Sequence, residues 1–182
     1  LTSRTLAERF VLIDSRASTG IGLSAYGIVR QCVVHSHTEA ENPTVILHAE
    51  AVLDGCVIIG EYVRKPAESA EPVVIQNCIL PCWVSLQGGS ASIRNSTLLR
   101  STLDIYACVV SLTNTLFEST WPSVDAASPQ YDNCLFSDST AFVNAHGDLN
   151  GCIVAPPQFR EDIPIRGAAD YADSIWFTDE SP

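Results

Sequence analysis

Basic residues are scarce in this chain. Lys and Arg together number 10 against 21 Asp and Glu, a net charge of −11. Nucleic acid is bound by neutralising phosphates with Lys and Arg, so this balance argues against it, and equally against anionic membranes. No apolar run approaches the ~18 residues that a membrane span requires. Methionine is absent, and the start, Leu1-Thr2-Ser3-Arg4, lacks a basic-then-apolar signal pattern. A processed, trimmed or internal start is expected, from which targeting cannot be read. Nucleophile motifs and phosphate loops are missing, and Gly20, Gly22 and Gly27 have the wrong spacing for a dinucleotide fingerprint. No cofactor is called for.

What is present is a repeat. Cys32, Cys56, Cys78, Ser96, Thr115, Cys134 and Cys152 occupy one slot, with gaps of 24, 22, 18, 19, 19 and 18 residues. One position earlier stand Gln31, Gly55, Asn77, Asn95, Asn114, Asn133 and Gly151. Three earlier, Val29, Leu53, Ile75, Ile93, Leu112, Tyr131 and Leu149 are all apolar, as are Val34, Ile58, Leu80, Leu98, Phe117, Phe136 and Val154 two later. The position two earlier is polar throughout, from Arg30 and Asp54 to Asp132 and Asn150. Alternation of this kind describes strands with one dry face and one wet face. Self-similarity at a short period marks a solenoid, whose repeats bury their apolar side by stacking.

The 182 residues make one domain. A second strand per coil precedes the slot by ten to twelve residues, at Val84 to Leu86 and Leu103 to Ile105, and more weakly at Val124 and Phe142. The Asn positions are expected to be turns, since Asn tolerates left-handed geometry and can hydrogen-bond from coil to coil. Residues 1–9 form an N-terminal cap, with Ser3 to Arg9 as a short helix. Residues 10–156 form the coils. Residues 157–182, where Ile163, Ile165, Tyr171, Ile175, Trp176 and Phe177 fall, form a C-terminal capping segment. Two polar insertions, 35–43 and 61–71, are expected as surface loops.

The phrases Ile75-Gln-Asn-Cys-Ile-Leu80, Ile93-Arg-Asn-Ser-Thr-Leu98 and Leu112-Thr-Asn-Thr-Leu-Phe117 resemble the repeat of right-handed parallel β-helix proteins, the pectate-lyase-like and tailspike-like superfamily. The resemblance implies an all-β, single-stranded right-handed parallel β-helix of about seven to eight coils between the two caps. It also implies an extracellular or cell-surface setting. It says little about function, because this scaffold carries many activities.

Five cysteines share their slot with Ser and Thr, so a small, mildly polar, buried side chain is expected there. With no C-x-x-C in the chain, this accounts for the cysteines better than disulfides or a metal would. Cys82 and Cys108 lie off that ladder and are singled out for reactivity. One glycosylation sequon, Asn95-Ser96-Thr97, starts on a ladder Asn whose amide is expected to be occupied.

Three constellations are candidates for function. Asp104 and Asp125, with Tyr106 and Gln87 beside them, are expected to point outward on one sheet roughly 8 Å apart. That separation suits an inverting glycosidase, but solvated acids are the commoner meaning. No Arg or Lys is expected near them, which counts against a lyase, and few aromatic platforms for sugar are expected there. His35, His37 and Glu39, spaced by two, form a weak metal trio, more often simply a loop. The position after the slot holds Val33, Val57, Ile79, Thr97, Leu116, Leu135 and Ile153, six of seven apolar. If these face outward they form an apolar stripe, the mark of an assembly surface, unless segments 61–71 and 157–177 cover it or the bend half-buries it.

The function expected is therefore a structural or interaction module, a rigid rod that assembles with itself or with another protein through the stripe. The alternative is a carbohydrate-binding or polysaccharide-degrading domain using the face of Asp104 and Asp125, with a glycan as partner.

Overall fold

The computed structural model describes residues 2–3, 6–9, 11–13, 23–35 and 44–156. Among these residues three parallel sheets of seven, eight and eight strands run along the stacking direction, and each coil contributes one strand to each sheet except the last, which has a helix in place of its first-sheet strand. The pairing is in register from coil to coil: Ile75 lies opposite both Leu53 and Ile93, and Leu98 opposite both Leu80 and Phe117. This is the all-β parallel solenoid that the repeat implies.

The slot is a corner. The residue before it turns the chain from the second sheet into the third in left-handed geometry, with φ of 55° at Asn77, 48° at Asn95, 50° at Asn114 and 53° at Asn133. The slot side chain then points inward and replaces hydrogen bonds that the bend disturbs. Ser96 Oγ accepts from the Cys78 amide at 3.1 Å and donates to the Arg94 carbonyl at 2.8 Å. Cys78 Sγ does the same, accepting from the Cys56 amide at 3.4 Å and donating to the Gln76 carbonyl at 3.1 Å. A small side chain able both to donate and to accept is needed, which is why Cys, Ser and Thr interchange there.

Along the second and third sheets the alternation holds. Val29, Leu53, Ile75, Ile93, Leu112 and Tyr131 are fully buried, as are Val34, Ile58, Leu80, Leu98, Phe117 and Phe136. Toward the last coils the filling becomes aromatic: the Phe117 and Phe136 rings stack with centroids 4.6 Å apart, and Tyr131 packs on both. The Tyr131 hydroxyl meets its need for a partner by donating to the Ala145 carbonyl at 2.9 Å.

Left-handed corners recur where the sequence shows no Asn. Arg100 and Ser119 (φ 46° each) turn the third sheet into the first, and Gly88, Ala107 and Ala126 (φ 61°, 47° and 52°) turn the first into the second. Cys82 and Cys108 stand at these two corners, buried like Cys32, Cys56, Cys78 and Cys134 of the ladder. Burial pushes the Cys82 thiol up to about 12 and the Cys108 thiol upward as well. Their selection as reactive thiols is corrected: both are core residues.

Three further expectations change. The N-terminal helical cap is not formed. Thr2–Ser3 and Leu6–Glu8 are strands, and Leu6, Ala7 and Glu8 pair with Ile28, Val29 and Arg30. A seven-residue helix is too short to be stable alone, whereas a parallel neighbour satisfies the same backbone groups. The repeat therefore begins at least four residues before position 10. Insertion 61–71 is not wholly a loop, because Tyr62–Lys65 is a strand of the first sheet. Phe142 lies on a helix, Ser139–Asn144, instead of a strand. Asp138 caps it, its carboxylate accepting from the Ala141 amide at 2.8 Å. The capping segment 157–182 lies outside the described residues.

The chain's only lysine, Lys65, lies inside. It shares a row with Leu86 and is completely buried. Its Nζ donates to the carbonyls of Ser69, Gln87 and Gly88, which pins the 66–72 loop against the next coil. Gly88 and Gly89 admit that loop: a Cβ on either would lie 2.7 and 2.5 Å from the Ala67 and Ala70 carbonyl oxygens.

Candidate functional site

The first sheet presents three outward rows. Strands Tyr62–Lys65, Trp83–Gln87, Thr102–Tyr106 and Trp121–Asp125 pair in register. Their first row is Tyr62, Trp83, Thr102 and Trp121, the second Arg64, Ser85, Asp104 and Ser123, and the third Gln87, Tyr106 and Asp125; Ser85, though in an outward position, is buried. Between these rows the inward positions Val84, Leu103, Leu86 and Ile105 are fully buried. The alternation leaves each outward side chain no freedom of face.

Asp104 and Asp125 do share this face, one strand apart and two residues along: Asp104 lies opposite Ser85 and Ser123, and Asp125 opposite Tyr106. Among the described residues neither is in an ion pair; the pairs present are Glu8–Arg9, Arg30–Asp54 and Arg100–Glu118.

Two expectations about this face are overturned. A base is present: Arg64 lies in the row of Asp104, two strands away with Ser85 between, a separation of roughly 9.6 Å by strand spacing. The insertion hid it, because residues 61–71 read as a loop. Aromatic platforms are also present. Trp83, Tyr106 and Trp121 are 46, 52 and 54% exposed, and Tyr62 lies against Trp83 with ring centroids 5.7 Å apart. The repeat did carry this signal, since Trp83, Thr102 and Trp121 each stand thirteen residues before a slot.

The polar groups on the face are unevenly served. The Gln87 amide donates to Ser85 Oγ at 3.3 Å, whereas Arg64 Nε is buried with no hydrogen-bond partner among the described residues. A buried donor without an acceptor is costly. Beside the first row runs a shallow groove of about 450 Å³, with Glu61, Trp83, Arg100, Thr102 and Ser119 along it. The surface thus carries aromatic faces, hydroxyls, carboxylates and the Arg64 guanidinium side by side.

The other candidates fall elsewhere. His35 ends the strand Val33–His35 and is buried, while His37 and Glu39 lie outside the described residues. Among those described no group of three or more His, Cys, Asp or Glu could hold a metal ion. The stripe residues Val33, Val57, Ile79, Thr97, Leu116, Leu135 and Ile153 form one unbroken row on the third sheet. Most of them are half-buried, Val57 only 9% exposed; Ile153, in the last described coil, is 59% exposed. The amide of Asn95 is occupied on both sides, donating to Asn77 Oδ1 and accepting from Asn114. Among the described residues no helix is long and apolar enough to cross a membrane.

No family model and no curated protein matches this chain. Among solved structures it is similar to that of trypsin-treated QnrB1, a plasmid-mediated fluoroquinolone resistance protein, at 14% identity over 82% of this chain and 90% of that one, with a TM-score of 0.34. At that score the likeness carries no argument about function.

Proposed function

We propose that this protein is an interaction module without catalysis of its own, a β-helical rod that holds an extended ligand on the outer face of its first sheet. One observation carries the reading: Trp83, Tyr106 and Trp121 stand about half exposed on a single sheet face, on strands in register with those of Arg64 and Asp104. Large aromatics are normally covered, and several displayed together beside polar groups mark a recognition surface. The scaffold supports this role because the central strands are hydrogen-bonded on both sides, so the rows keep their spacing. The test is a Trp83→Ala/Trp121→Ala variant, in which ligand association should be lost while the melting transition stays in place. Association unchanged by both substitutions would remove the face from the function.

A second reading has its own observation. The row from Val33 to Ile153 on the third sheet is apolar at every position but Thr97, and a contiguous row of that kind suits lateral assembly of rods. Light scattering over a concentration series decides it. Under this reading the protein forms a defined oligomer that Val57→Ser, Leu116→Ser and Leu135→Ser together dissociate.

A further inference from the structure

On the first sheet one carboxylate is surrounded by rings. We propose that this face docks an extended basic segment of a partner protein, with an arginine side chain seated over Asp104 between Trp83, Trp121 and Tyr106. This deepens the interaction-module reading and rests on it.

Placement is the first observation. Thr102 stands between Trp83 and Trp121 in the first row, and Asp104 lies two residues further along the same strand. Each tryptophan is therefore one strand over and two residues back from Asp104, roughly 8 Å by strand spacing and rise, and Tyr106 is two residues on, roughly 6.6 Å. All three rings are about half exposed. Asp104 is half-buried and, among the described residues, has neither an ion pair nor a hydrogen bond. A carboxylate partly withdrawn from water calls for a donor, and ring faces carry negative potential, so a cation satisfies both at once. Arginine suits this better than lysine. Its flat guanidinium can stack on a ring while donating two hydrogen bonds to the carboxylate.

The second observation is register. An extended peptide laid along the strand direction repeats its side-chain face every ~6.6 Å, the interval that also separates the three rows. Asp125 is one strand and two residues from Asp104, roughly 8 Å, which two long basic side chains two residues apart can span. The segment expected is therefore basic, any residue, basic, crossing the rod instead of running along it. It docks by side chains alone, since strand Thr102–Tyr106 is already paired on both sides.

Charge is the third. Asp104, Asp125 and Glu61 outnumber Arg64 and Arg100 on the face and its groove, in a chain of net charge −11. Such a field draws a basic partner and repels an acidic one. An inorganic cation fits less well, because it needs more oxygens than two separated carboxylates supply, and no described cluster could hold a metal ion.

The experiment is calorimetric titration of the full chain with capped nine-residue peptides of serine and glycine that carry two arginines two positions apart. Versions with lysine, glutamine or glutamate in place of arginine, and one with the arginines adjacent, are titrated beside it. The spaced arginine peptide should bind most tightly, and more weakly as salt rises. Asp104→Asn should weaken it by ~10-fold, the loss of a charge-assisted hydrogen bond, and Trp83→Ala and Trp121→Ala by ~5-fold each, with no change in melting temperature. Asp148→Asn, which removes the same charge from an exposed position on the second sheet, should leave the affinity in place. No association of the arginine peptides would overturn the proposal. So would equal losses from Asp104→Asn and Asp148→Asn, which would reduce the attraction to a long-range one. Glutamine peptide binding as tightly as arginine peptide, and still through the tryptophans, would overturn the cation assignment but leave the face as the working surface. Arginine peptide binding indifferent to both tryptophans would sink the proposal and the face together.

Discussion

From inside the rod, Lys65 Nζ donates to the Gly88 carbonyl of the next coil at 2.7 Å. The same ammonium holds the Gln87 and Ser69 carbonyls, so the one lysine of the chain ties an insertion loop to the coil that follows.

Lys65→Ala should therefore destabilise the protein by about 2–4 kcal/mol, through a cavity and three carbonyls left without their donor. Lys65→Met, which keeps the stem, should cost less. Urea unfolding measures both, and hydrogen exchange should quicken first in residues 66–72. In the native protein an amine-reactive label should spare Lys65 until the rod is unfolded.

Burial also lowers the pKa of Lys65, which fixes a sign. A base held below its unfolded value binds its proton more weakly when folded, so its burial cost is fully present below the folded pKa. The cost fades as pH rises toward the unfolded value of ~10.4. The stability difference between the wild-type protein and Lys65→Met should thus shift in favour of wild type across that window. A pH-independent difference would show that the amine does not titrate there.

Buried thiols act in the opposite sense. Burial pushes Cys82 and Cys134 up from 9.0 to about 12. At Cys56 the hydrogen bond with Cys32 lowers the thiol, but the bond with Cys78 and burial outweigh it, and the thiol rises to about 12. An acid held above its unfolded value keeps its proton when folded. Each of these cysteines therefore contributes stability below about pH 9 that is lost as pH rises toward about 12, at up to ~1.4 kcal/mol per unit. Cys82→Ala should flatten part of that alkaline decline. A thiol reagent should meet the half-buried Cys152 before the six buried cysteines.

Asn95 combines two roles that substitution can separate. Its φ of 48° is strained for most residues, and its side chain links Asn77 to Asn114 at 3.4 and 3.2 Å. Asn95→Ala should cost about 1–2 kcal/mol by losing both, and Asn95→Gly less, because glycine accepts the backbone at no steric cost. If the two variants melt together, the ladder of side-chain amides is what matters, not the corner.

Gly89 tests the loop from its other side. A Cβ there would stand 2.5 Å from the Ala70 carbonyl oxygen, on a backbone at φ 56°. Gly89→Ala should lower the melting temperature by several degrees, as a strained backbone contact costing a few kcal/mol would. Near-wild-type melting would mean that the 66–72 loop lifts without penalty.

The sequence by itself determined the solenoid, the inward and outward faces of its second and third sheets, the Asn corners and the nature of the cysteine slot. These are local matters: alternation has a period of two, and the turn from the second sheet to the third needs a left-handed residue followed by a small, hydrogen-bonding one wherever it recurs. Only the tertiary structure decided which residues become neighbours between coils. That depends on how many residues each coil spends on its loops, and ladder hydrogen bonding sets it. Tyr62–Lys65, inside what reads as a loop, became a strand because the adjacent strands Val45–Leu47 and Trp83–Gln87 needed partners. That pairing turned Lys65 inward and put Arg64 in line with Asp104. The N-terminal segment became strand instead of helix for the same reason, since an open ladder satisfies more backbone than seven isolated residues can. The aromatic face of the first sheet thus owes its residues to the repeat and its arrangement to the stacking.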